Sequence, residues 1–327
     1  MLRCIQRTET DPYYNIAAEE YLLKTAETNT FMTWRNEPSV IIGKHQNASR
    51  EINHDYIGSL NLPVIRRITG GGTVYHDLGN INFSFIYTDR DDNLVDFRYF
   101  TEPVIKFLQE LGLNAGFEGK NNIVIDGMKV SGNSAHIYKN KVLHHGTLLF
   151  SSDLNALKKA IAGREEHYKD KSVKSIRSIV SNISELLPVK ISGTEFLTLF
   201  REFICKDYPG TYIDEFRENE KELIVKLVEE KYKKHEWNFG YSPEYKYDAE
   251  CIMQKGNCAI SLAVKEGLII KAEITGPQED ASFLNTIANR LTGVMHEKKS
   301  ISERLKKLTF VSENERKIVN QIIQHLF

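Results

Sequence analysis

The spacing of apolar residues divides the chain into two parts that differ in the order of their predicted strands and helices. As far as about residue 245, short runs rich in β-branched and aromatic residues alternate with amphipathic stretches, which is typical of strands and helices within one domain. After residue 245, three strand-like runs are followed by two helical stretches. We therefore expect an α/β fold in which residues 1–245 form a large domain and residues 246–327 form a small α+β domain.

Four local patterns in the large domain carry specific expectations. Glu51–Leu60 is predicted to be one short helix, and Asn82–Tyr87 alternates between apolar and polar residues as a half-buried strand does. Asp126-Gly127 predicts the tip of a β-hairpin, because this dipeptide favours the tight turn between two antiparallel strands. Gly163–Lys174 is charged and poor in apolar residues, which predicts a mobile surface loop.

The strand after the Asp-Gly turn carries a lysine. Successive side chains of a strand point to opposite faces, so Lys129 and Ser131 are expected on one face and Met128 and Val130 on the other. If the methionine and valine are in the core, the lysine points towards whatever borders the other face. A solvated surface lysine is the alternative, since most lysines are exposed.

Composition and charge limit the classes of partner. The chain has 327 residues, 41% of them hydrophobic, and a formal net charge of −1, so no global positive field attracts a nucleic acid or an anionic membrane. Its four cysteines match neither a zinc site nor a disulfide framework. The N-terminus lacks the apolar core of a secretory signal, and no window is apolar enough to span a bilayer. We expect a cytoplasmic protein with reduced thiols.

Three consecutive glycines form the most distinctive stretch of the chain. Gly70, Gly71 and Gly72 follow Arg66 and Arg67, so fixed positive charge stands beside a bare backbone. Successive main-chain N–H groups in such a segment can form a concave site for phosphate or carboxylate oxygens. The stretch lacks the lysine and hydroxyl residue of a P-loop and the spaced glycines of a dinucleotide fingerprint. A tight turn between two strands is the simpler alternative.

Five stretches, in order along the chain, together resemble the lipoate-protein ligase family, which shares its fold with biotin ligase and the class II aminoacyl-tRNA synthetases. They are Arg66-Arg67-x-x-Gly70-Gly71-Gly72-x-Val74-Tyr75-His76-Asp77-Leu78-Gly79-Asn80, Lys129-Val130-Ser131-Gly132, His144-His145-Gly146-Thr147-Leu148-Leu149, Ser175-x-Arg177-Ser178 with Asn182 and Glu185-Leu186-Leu187-Pro188, and Trp237-Asn238-Phe239-Gly240.

The resemblance implies a large mixed-sheet catalytic domain of the biotin/lipoate ligase type, which binds lipoate and ATP, and a small C-terminal accessory domain that can rotate over it. It also implies ATP and Mg²⁺ as cofactors and a two-step reaction. Lipoate attacks the α-phosphate of ATP to give lipoyl-adenylate, and the acyl group then passes to a lysine of a lipoyl carrier domain. The implied acceptors are acyltransferase subunits of 2-oxoacid dehydrogenases or the glycine-cleavage carrier protein. We expect a monomer.

Site residues are implied position by position. Lys129 is the implied catalytic cation, which reaches the acyl carbonyl and the α-phosphate. His145 is favoured over His144, because adjacent strand residues face opposite sides and His145 shares its face with Thr147. The implied adenylate-binding loop contains Lys174, Ser175 and Arg177. The residues implied to bind lipoate or ATP are Arg67, Gly70, Gly71, Gly72, Thr73, Val74, Tyr75, His76, Asn121, Lys129, Ser131, Gly132, His145 and Thr147.

One departure from the family pattern keeps other functions open. The chain has Gly119-Lys120-Asn121-Asn122 where the family commonly has Gly-Arg-Asn-Asp, so a carboxylate is missing. The alternatives are an ATP-independent amidotransferase that moves octanoyl or lipoyl groups between carriers, a non-catalytic lipoyl- or carrier-binding module, and a biotin ligase. No cysteine lies between Cys4 and Cys205, which argues against a thioester route.

Overall fold

The structure is a computed structural model that describes residues 1–88, 95–176, 178–253 and 256–327. The chain folds into two compact units. The first comprises Met1–Lys44, Leu62–Lys159 and Ser175–Lys234, and the second comprises His45–Asn61, Ala160–Lys174 and His235–Phe327. The second unit therefore contains the small C-terminal region and two earlier segments of the chain. Among the described residues, no helix is long and apolar enough to cross a membrane.

Two sheets form the first unit. The larger is a mixed eight-stranded sheet in the order β12-β1-β2-β6-β10-β9-β8-β7, and the smaller is a three-stranded sheet in the order β4-β3-β5. Parallel pairs join β1 to β12 and to β2, and the other pairs of the large sheet are antiparallel. The strands of these two sheets are Leu2–Gln6 (β1), Asn29–Trp34 (β2), Ser39–Ile42 (β3), Val64–Arg66 (β4), Val74–His76 (β5), Asn80–Tyr87 (β6), Ala115–Glu118 (β7), Asn122–Ile125 (β8), Met128–Tyr138 (β9), Lys141–Leu149 (β10) and Thr211–Asp214 (β12). The intervening strand Tyr168–Asp170 (β11) belongs to the second unit.

Helices pack on the sheets, and several of them begin at a residue whose side chain caps the first turn. The side chain of Asp11 accepts hydrogen bonds from the first turn of α1, and Asp96 does the same for α4. The helices are Pro12–Thr25 (α1), Ala48–Glu51 (α2), His54–Leu60 (α3), Phe97–Glu110 (α4), Leu154–Ala160 (α5), Ile183–Leu186 (α6), Gly193–Asp207 (α7), Glu218–Leu227 (α8), Ala281–Leu291 (α9), Lys298–Leu305 (α10) and Glu313–His325 (α11). One core of the first unit is aromatic: Phe31 and Phe83 pack against Phe200 of α7, and Phe85 packs against both Phe31 and Phe83.

The second unit is built on an antiparallel four-stranded sheet in the order β11-β13-β14-β15. Its C-terminal strands are Tyr245–Met253 (β13), Gly256–Lys265 (β14) and Leu268–Thr275 (β15). Alternate residues of these strands are buried against α9, α10 and α11, and the opposite face of the sheet is largely exposed. The strand block followed by a helix block confirms the predicted α+β character of this region.

Three local predictions were wrong. The helix predicted at Glu51–Leu60 is two helices, α2 and α3, because Asn53 caps a new start by accepting a hydrogen bond from Tyr56 N. The strand around Asn82–Tyr87 is buried at every position, since β6 lies between β2 and β10 in the middle of the sheet. Gly163–Lys174 is not simply a mobile loop: it contributes β11, where Asp170 forms an ion pair with the buried Arg50.

The hairpin was predicted correctly, but the faces of its second strand were not. Asp126 and Gly127 have φ of 50° and 77°, as a tight hairpin turn requires. In the register of the two strands, Lys129 pairs with Val124 and Ser131 pairs with Ile123, so a β-bulge leaves Val130 as an extra residue. Since Val124 and Ile123 are adjacent on β8, Lys129 and Ser131 face opposite sides of the sheet.

Candidate active site

The glycine loop, residues Gly70–Thr73, connects β4 to β5. Gly71 has a φ of +88°, and a Cβ atom placed on it would lie 3.0 Å from Arg67 Nη2. Glycine is therefore required at this position by conformation and by space. Gly70 differs, because a Cβ atom there would meet no other atom within 4 Å.

Arg67 holds the glycine loop in shape. Its Nη2 donates to the carbonyl oxygens of Gly70 and Gly72 at 2.6 and 2.8 Å, and its Nη1 donates to Ile41 O at 3.2 Å. The side chain is buried, and this burial lowers the pKa of the guanidinium to about 10, against the opposing effect of the Glu19 charge. With these carbonyls occupied by Arg67, the main-chain N–H groups of the three glycines remain as the candidate binding groups of the loop.

A buried polar chain runs from Arg67 to a carboxylate on α1. Arg67 Nε donates to Thr69 Oγ1 at 2.9 Å, and the Thr69 hydroxyl lies 2.8 Å from His145 Nε2. His145 Nδ1 lies 2.8 Å from Glu19 Oε1, which also accepts from Ser84 Oγ at 2.5 Å. Because a carboxylate only accepts, His145 Nδ1 carries a hydrogen, and Nε2 is left to accept from the hydroxyl. The chain thereby fixes the His145 ring next to the glycine loop.

The two adjacent histidines of β10 have different environments, as their alternation predicted. His144 lies in an aromatic cluster, with its ring 5.0 Å from that of Phe100 and 6.0 Å from that of Phe83. Burial lowers the pKa of His144 well below its ordinary value. His145 belongs instead to the polar chain, and Thr147, two residues further on, is half-buried.

The strand that follows the glycine loop ends at a buried histidine. On β5, Val74 is half-buried, and Tyr75 and His76 are buried. His76 packs edge-to-face against Trp34, with the ring centroids 5.7 Å apart. Burial, together with the nearby Arg67 guanidinium, lowers the pKa of His76 to about 3. This imidazole is therefore neutral at physiological pH.

Lys129 lies at the β-bulge of β9. Its main-chain N–H donates to Ile179 O at 3.3 Å, and its carbonyl accepts from Ser181 N at 3.1 Å, so residues 179–181 pair with it along one side. Its side chain extends over Gly132, where a Cβ atom would lie 3.6 Å from the lysine Nζ. Burial lowers the pKa of Lys129. The lysine is therefore partly desolvated and held on a rigid backbone.

Asn133 fixes the neighbouring turn and was missed by the sequence analysis. Its main-chain N–H and its Nδ2 each donate to Asn121 O at 3.0 Å, and Asn121 Nδ2 donates back to Asn133 O. Asn133 Nδ2 also donates to Ser131 Oγ at 3.2 Å, and its Oδ1 lies 3.2 Å from His144 Nε2. The predicted residues Asn121 and Ser131 are therefore brought together by a third residue.

Serine side chains tie the glycine loop to the lysine region. Ser134, on β9, donates to Gly70 O at 3.0 Å. Ser175 accepts a hydrogen bond from Thr73 N at 3.0 Å, and it lies so close to Gly72 that a Cβ there would be 3.1 Å from its Oγ. The structure thus places the predicted residue Ser175, and Ser134 on the strand of Lys129, directly against the predicted loop. Of the other predicted loop residues, Lys174 belongs to the second unit and is exposed, and Arg177 lies outside the described residues.

Glu19 and Thr69 were also missed. The sequence offered one partial signal for Glu19, an acid that directly follows Ile16, Ala17 and Ala18 in a predicted helix, and the structure shows that it is buried with them. A charged residue on a buried helical face is nearly always paired. Thr69 gave no signal, since a threonine before a glycine run is common turn chemistry.

Metal binding is not supported by a preformed set of ligands. Within residues 1–88, 95–176, 178–253 and 256–327, no group of three or more histidine, cysteine, aspartate or glutamate side chains could hold a metal ion. Glu19, the carboxylate of the polar chain, already accepts hydrogen bonds from His145 and Ser84. A preformed magnesium site built from three or more such side chains is therefore not seen among the described residues.

The sequence matches models of two protein families that together cover most of the chain. The model described as "Lipoyl protein ligase A/B catalytic domain" matches residues 11–205, and the one described as "Bacterial lipoate protein ligase C-terminus" matches residues 242–327. Lipoate--protein ligase 1 of Staphylococcus aureus is 40% identical over 303 residues, with 90% of each chain covered. Lipoate-protein ligase LplJ of Bacillus subtilis is 38% identical over 299 residues, with the same coverage.

Solved structures agree. A lipoate protein ligase of Thermoplasma acidophilum with bound lipoic acid has a TM-score of 0.63 at 27% identity, over 73% of this chain and 99% of that one. A lipoate-protein ligase A bound with ATP has a TM-score of 0.62 at 26% identity, over 73% and 98%. LipL1 of P. falciparum in complex with lipoate, at 23% identity and a TM-score of 0.60, covers 99% of both chains and shows the fold alone.

Most of the mixed sheet and the whole of the braced glycine loop lie in the region that matches the catalytic domain of a protein ligase family. The family matches and the relatives make the assignment specific. The chain belongs to the lipoate-protein ligase family and is an ATP-dependent ligase.

Proposed function

We propose that this chain couples ATP to lipoylation in two steps at the glycine loop and Lys129. In the first, a lipoate carboxylate oxygen attacks the α-phosphorus of ATP, and pyrophosphate leaves. In the second, the ε-amine of an acceptor lysine attacks the acyl carbon, AMP leaves and the amine loses a proton. The observation that carries the proposal is the link between the two predicted parts: Ser134, on the strand of Lys129, donates to Gly70 O at 3.0 Å.

The glycine loop supplies main-chain N–H groups to the phosphates or the carboxylate. Such groups stabilise developing negative charge best when they are fixed in advance. Arg67 provides this fixation, because it donates to two loop carbonyls and is itself buried. Arg67 acts in this account mainly by positioning the loop, and the same account includes Val74, Tyr75 and Thr147 in the surrounding binding surface.

Lys129 supplies positive charge at the reacting centre. Its half-buried ammonium bridges the acyl carbonyl oxygen and the α-phosphate, where charge changes during both steps. Partial desolvation strengthens this interaction, because water no longer screens it. Gly132 contributes by leaving space beneath the lysine side chain. Ser175 and Arg177 act as part of a covering segment that keeps water from the adenylate.

The acceptor is a lysine of a lipoyl carrier domain. One support is the Thermoplasma acidophilum system, in which a bipartite lipoate protein ligase was solved together with its E2 lipoyl domain. That structure is 26% identical and has a TM-score of 0.62 over 73% of this chain. We further propose that Mg²⁺ arrives on the ATP phosphates and that the enzyme works in the cytoplasm, where its four free cysteines stay reduced.

The test is transfer of lipoate to a purified lipoyl domain, followed by mass spectrometry of the acceptor. We expect a mass increase on one lysine that requires both lipoate and ATP. An acceptor with its target lysine changed to arginine is the matched control and should gain no mass. Failure to modify any lipoyl domain in the presence of ATP would contradict the proposal.

The same assay separates the ligase from an amidotransferase. An octanoylated carrier protein is supplied as the only acyl donor, without ATP. The amidotransferase alternative requires transfer under these conditions. The positions of the cysteines favour the ligase: Cys4 and Cys205 belong to or pack on the core of the first unit, and Cys251 and Cys258 lie in the core of the second.

A further inference from the structure

One buried ring nitrogen near the glycine loop has no hydrogen-bond partner among the described residues. His76 is 3% exposed, and the unpartnered atom is its Nε2. Leaving a buried polar group unsatisfied destabilises a folded protein. Folded proteins rarely keep such a group unless a ligand or an ordered water completes it.

Which ring nitrogen of His76 carries the hydrogen follows from a chain of asparagines. Asn15 Nδ2 lies against two main-chain carbonyls, Glu9 O at 3.2 Å and Arg35 O at 3.1 Å, so this atom must be the amide nitrogen. Arg7 Nε donates to Asn15 Oδ1 at 3.2 Å, which identifies the other atom as oxygen. The orientation of the Asn15 amide is therefore determined by its partners.

The next link in the chain is Asn36, which is fully buried. Asn15 Nδ2 donates to Asn36 Oδ1 at 3.0 Å, so the remaining Asn36 atom is Nδ2, a donor only. Asn36 Nδ2 lies 3.1 Å from His76 Nδ1, which must accept. A neutral imidazole that accepts at Nδ1 carries its hydrogen at Nε2. The unpartnered Nε2 atom is thus an N–H donor.

The surroundings of this donor point to the acyl substrate. Its ring lies against Trp34, and both Arg67 and His145 are close enough to affect its ionisation. Two neighbouring polar groups already have hydrogen-bond partners. Glu19 accepts from His145 and Ser84, and Trp34 Nε1 donates to Ser84 Oγ at 3.1 Å. The His76 ring therefore lies between an aromatic side chain and polar groups that already have partners, three residues after the loop proposed to bind lipoate.

We infer that His76 Nε2–H donates a hydrogen bond to an acceptor atom of the acyl substrate, and that Asn36 is the positioning residue that keeps the hydrogen on Nε2. The inference rests on the proposed lipoate-binding function. Lipoate offers two kinds of acceptor, a carboxylate oxygen and a dithiolane sulfur. Octanoate shares the carboxylate but has no sulfur, so comparing the two acids distinguishes the acceptors.

The direct test uses NMR of protein with ¹⁵N-labelled histidine rings. In free wild-type protein we expect His76 as the Nε2–H tautomer, with its signals assigned by their loss in His76→Phe. Lipoate should shift the His76 Nε2–H signal. His144, whose Nε2 faces Asn133 Oδ1 within the core, is the internal control and should not shift.

Both acids give an interpretable outcome. A shift with lipoate and octanoate identifies the carboxylate as the acceptor, and a shift with lipoate alone identifies the sulfur; either supports the inference. Lipoate binding without any change at His76 would show that water fills this position and would overturn it. Calorimetry of wild-type protein measures lipoate binding independently of the NMR signals. Absence of binding would contradict the proposed function as well, whereas binding without a change at His76 would contradict only the inference.

Binding measurements on variants provide the second test. His76→Phe keeps the ring but removes the donor, and its lipoate dissociation constant should rise about ten-fold, the effect of one buried hydrogen bond. His76→Gln retains an amide donor and should recover part of this loss. Asn36→Asp presents only acceptors to Nδ1, so the spectrum should show a hydrogen on Nδ1. An unchanged affinity in folded His76→Phe would contradict the inference.

Discussion

The Arg67 guanidinium donates a 2.6 Å hydrogen bond to the carbonyl oxygen of Gly70, three residues ahead of it in the chain. The same Nη2 atom reaches Gly72 O, so one buried side chain closes the glycine loop on itself. Arg67 also joins this loop to Thr69 and, through it, to His145. The shape of the loop therefore depends on side chains that lie behind it.

Adding a methyl group at Gly71 should disturb this arrangement. Gly71→Ala forces a non-glycine residue to a φ of +88° and brings Cβ to 3.0 Å from Arg67 Nη2. We expect a loss of about 1–2 kcal/mol in the free energy of unfolding and a marked fall in ATP–pyrophosphate exchange. Gly70→Ala is the matched control, with no atom near the new methyl group, and its stability should change by less than about 0.5 kcal/mol. Equal losses in both variants would contradict this account.

The hydroxyl group of Thr69 should contribute more to the stability of the protein than its methyl group does. Thr69→Val leaves both Arg67 Nε and His145 Nε2 without the partners they have at 2.9 and 2.8 Å. Stranding buried polar groups costs about 1–3 kcal/mol, which denaturant titration can measure. Thr69→Ser keeps the hydroxyl and should retain most of the stability. If valine were tolerated as well as serine, the polar chain would not be structurally important.

Stability should depend on pH through His76. Its pKa is about 3 in the folded protein and ordinarily about 6.5, so below pH 6.5 the unfolded state binds more protons. The stabilisation is fully present above pH 6.5 and falls, by at most about 1.4 kcal/mol per pH unit, as the pH drops towards 3. Denaturant titrations at pH 7, 6 and 5 should show a shallower fall for His76→Phe. Identical slopes for variant and wild type would contradict the assignment.

The strand formed by Tyr168–Asp170 should be firmly held. Asp170→Asn removes the buried carboxylate that lies 3.2 Å from the buried Arg50, and leaves only the partly exposed Glu165, 3.5 Å away, as a charge partner. Breaking a buried ion pair by removing one partner costs about 3–5 kcal/mol, and because Glu165 remains we expect a loss at the lower end of that range. The neighbouring Lys169→Ala removes only an exposed ion pair with Asp248 and should change stability by less than about 1 kcal/mol. Hydrogen exchange at β11 that is fast in wild-type protein would contradict this prediction.

Local patterns in the sequence predicted the parts of the fold that depend on neighbours in the chain. The Asp126-Gly127 turn and the opposite orientations of His144 and His145 follow from turn chemistry and from alternation. The bulge at Val130 could not be predicted in this way, because it depends on how β9 pairs with β8. It reversed the expected relationship between Lys129 and Ser131.

The candidate site shows the same division. The glycine run and Lys129 stand out in the sequence because their residue types are unusual at those positions. Glu19, Asn133 and Asn36 act through partners 126, 12 and 40 residues away. Nothing in their immediate neighbours signals those contacts, since they arise only when distant strands meet.

Lipoate-dependent exchange of labelled pyrophosphate into ATP, compared between wild type and Lys129→Ala, tests the central claim most directly. We predict strong exchange in the wild type and a loss of at least about 100-fold in the variant, because a preorganised charge at the reacting centre is removed. Lys158→Ala, at an exposed position on α5, is the control and should retain full exchange. Wild-type protein that is folded but shows no exchange, or Lys129→Ala that exchanges normally, would contradict the account.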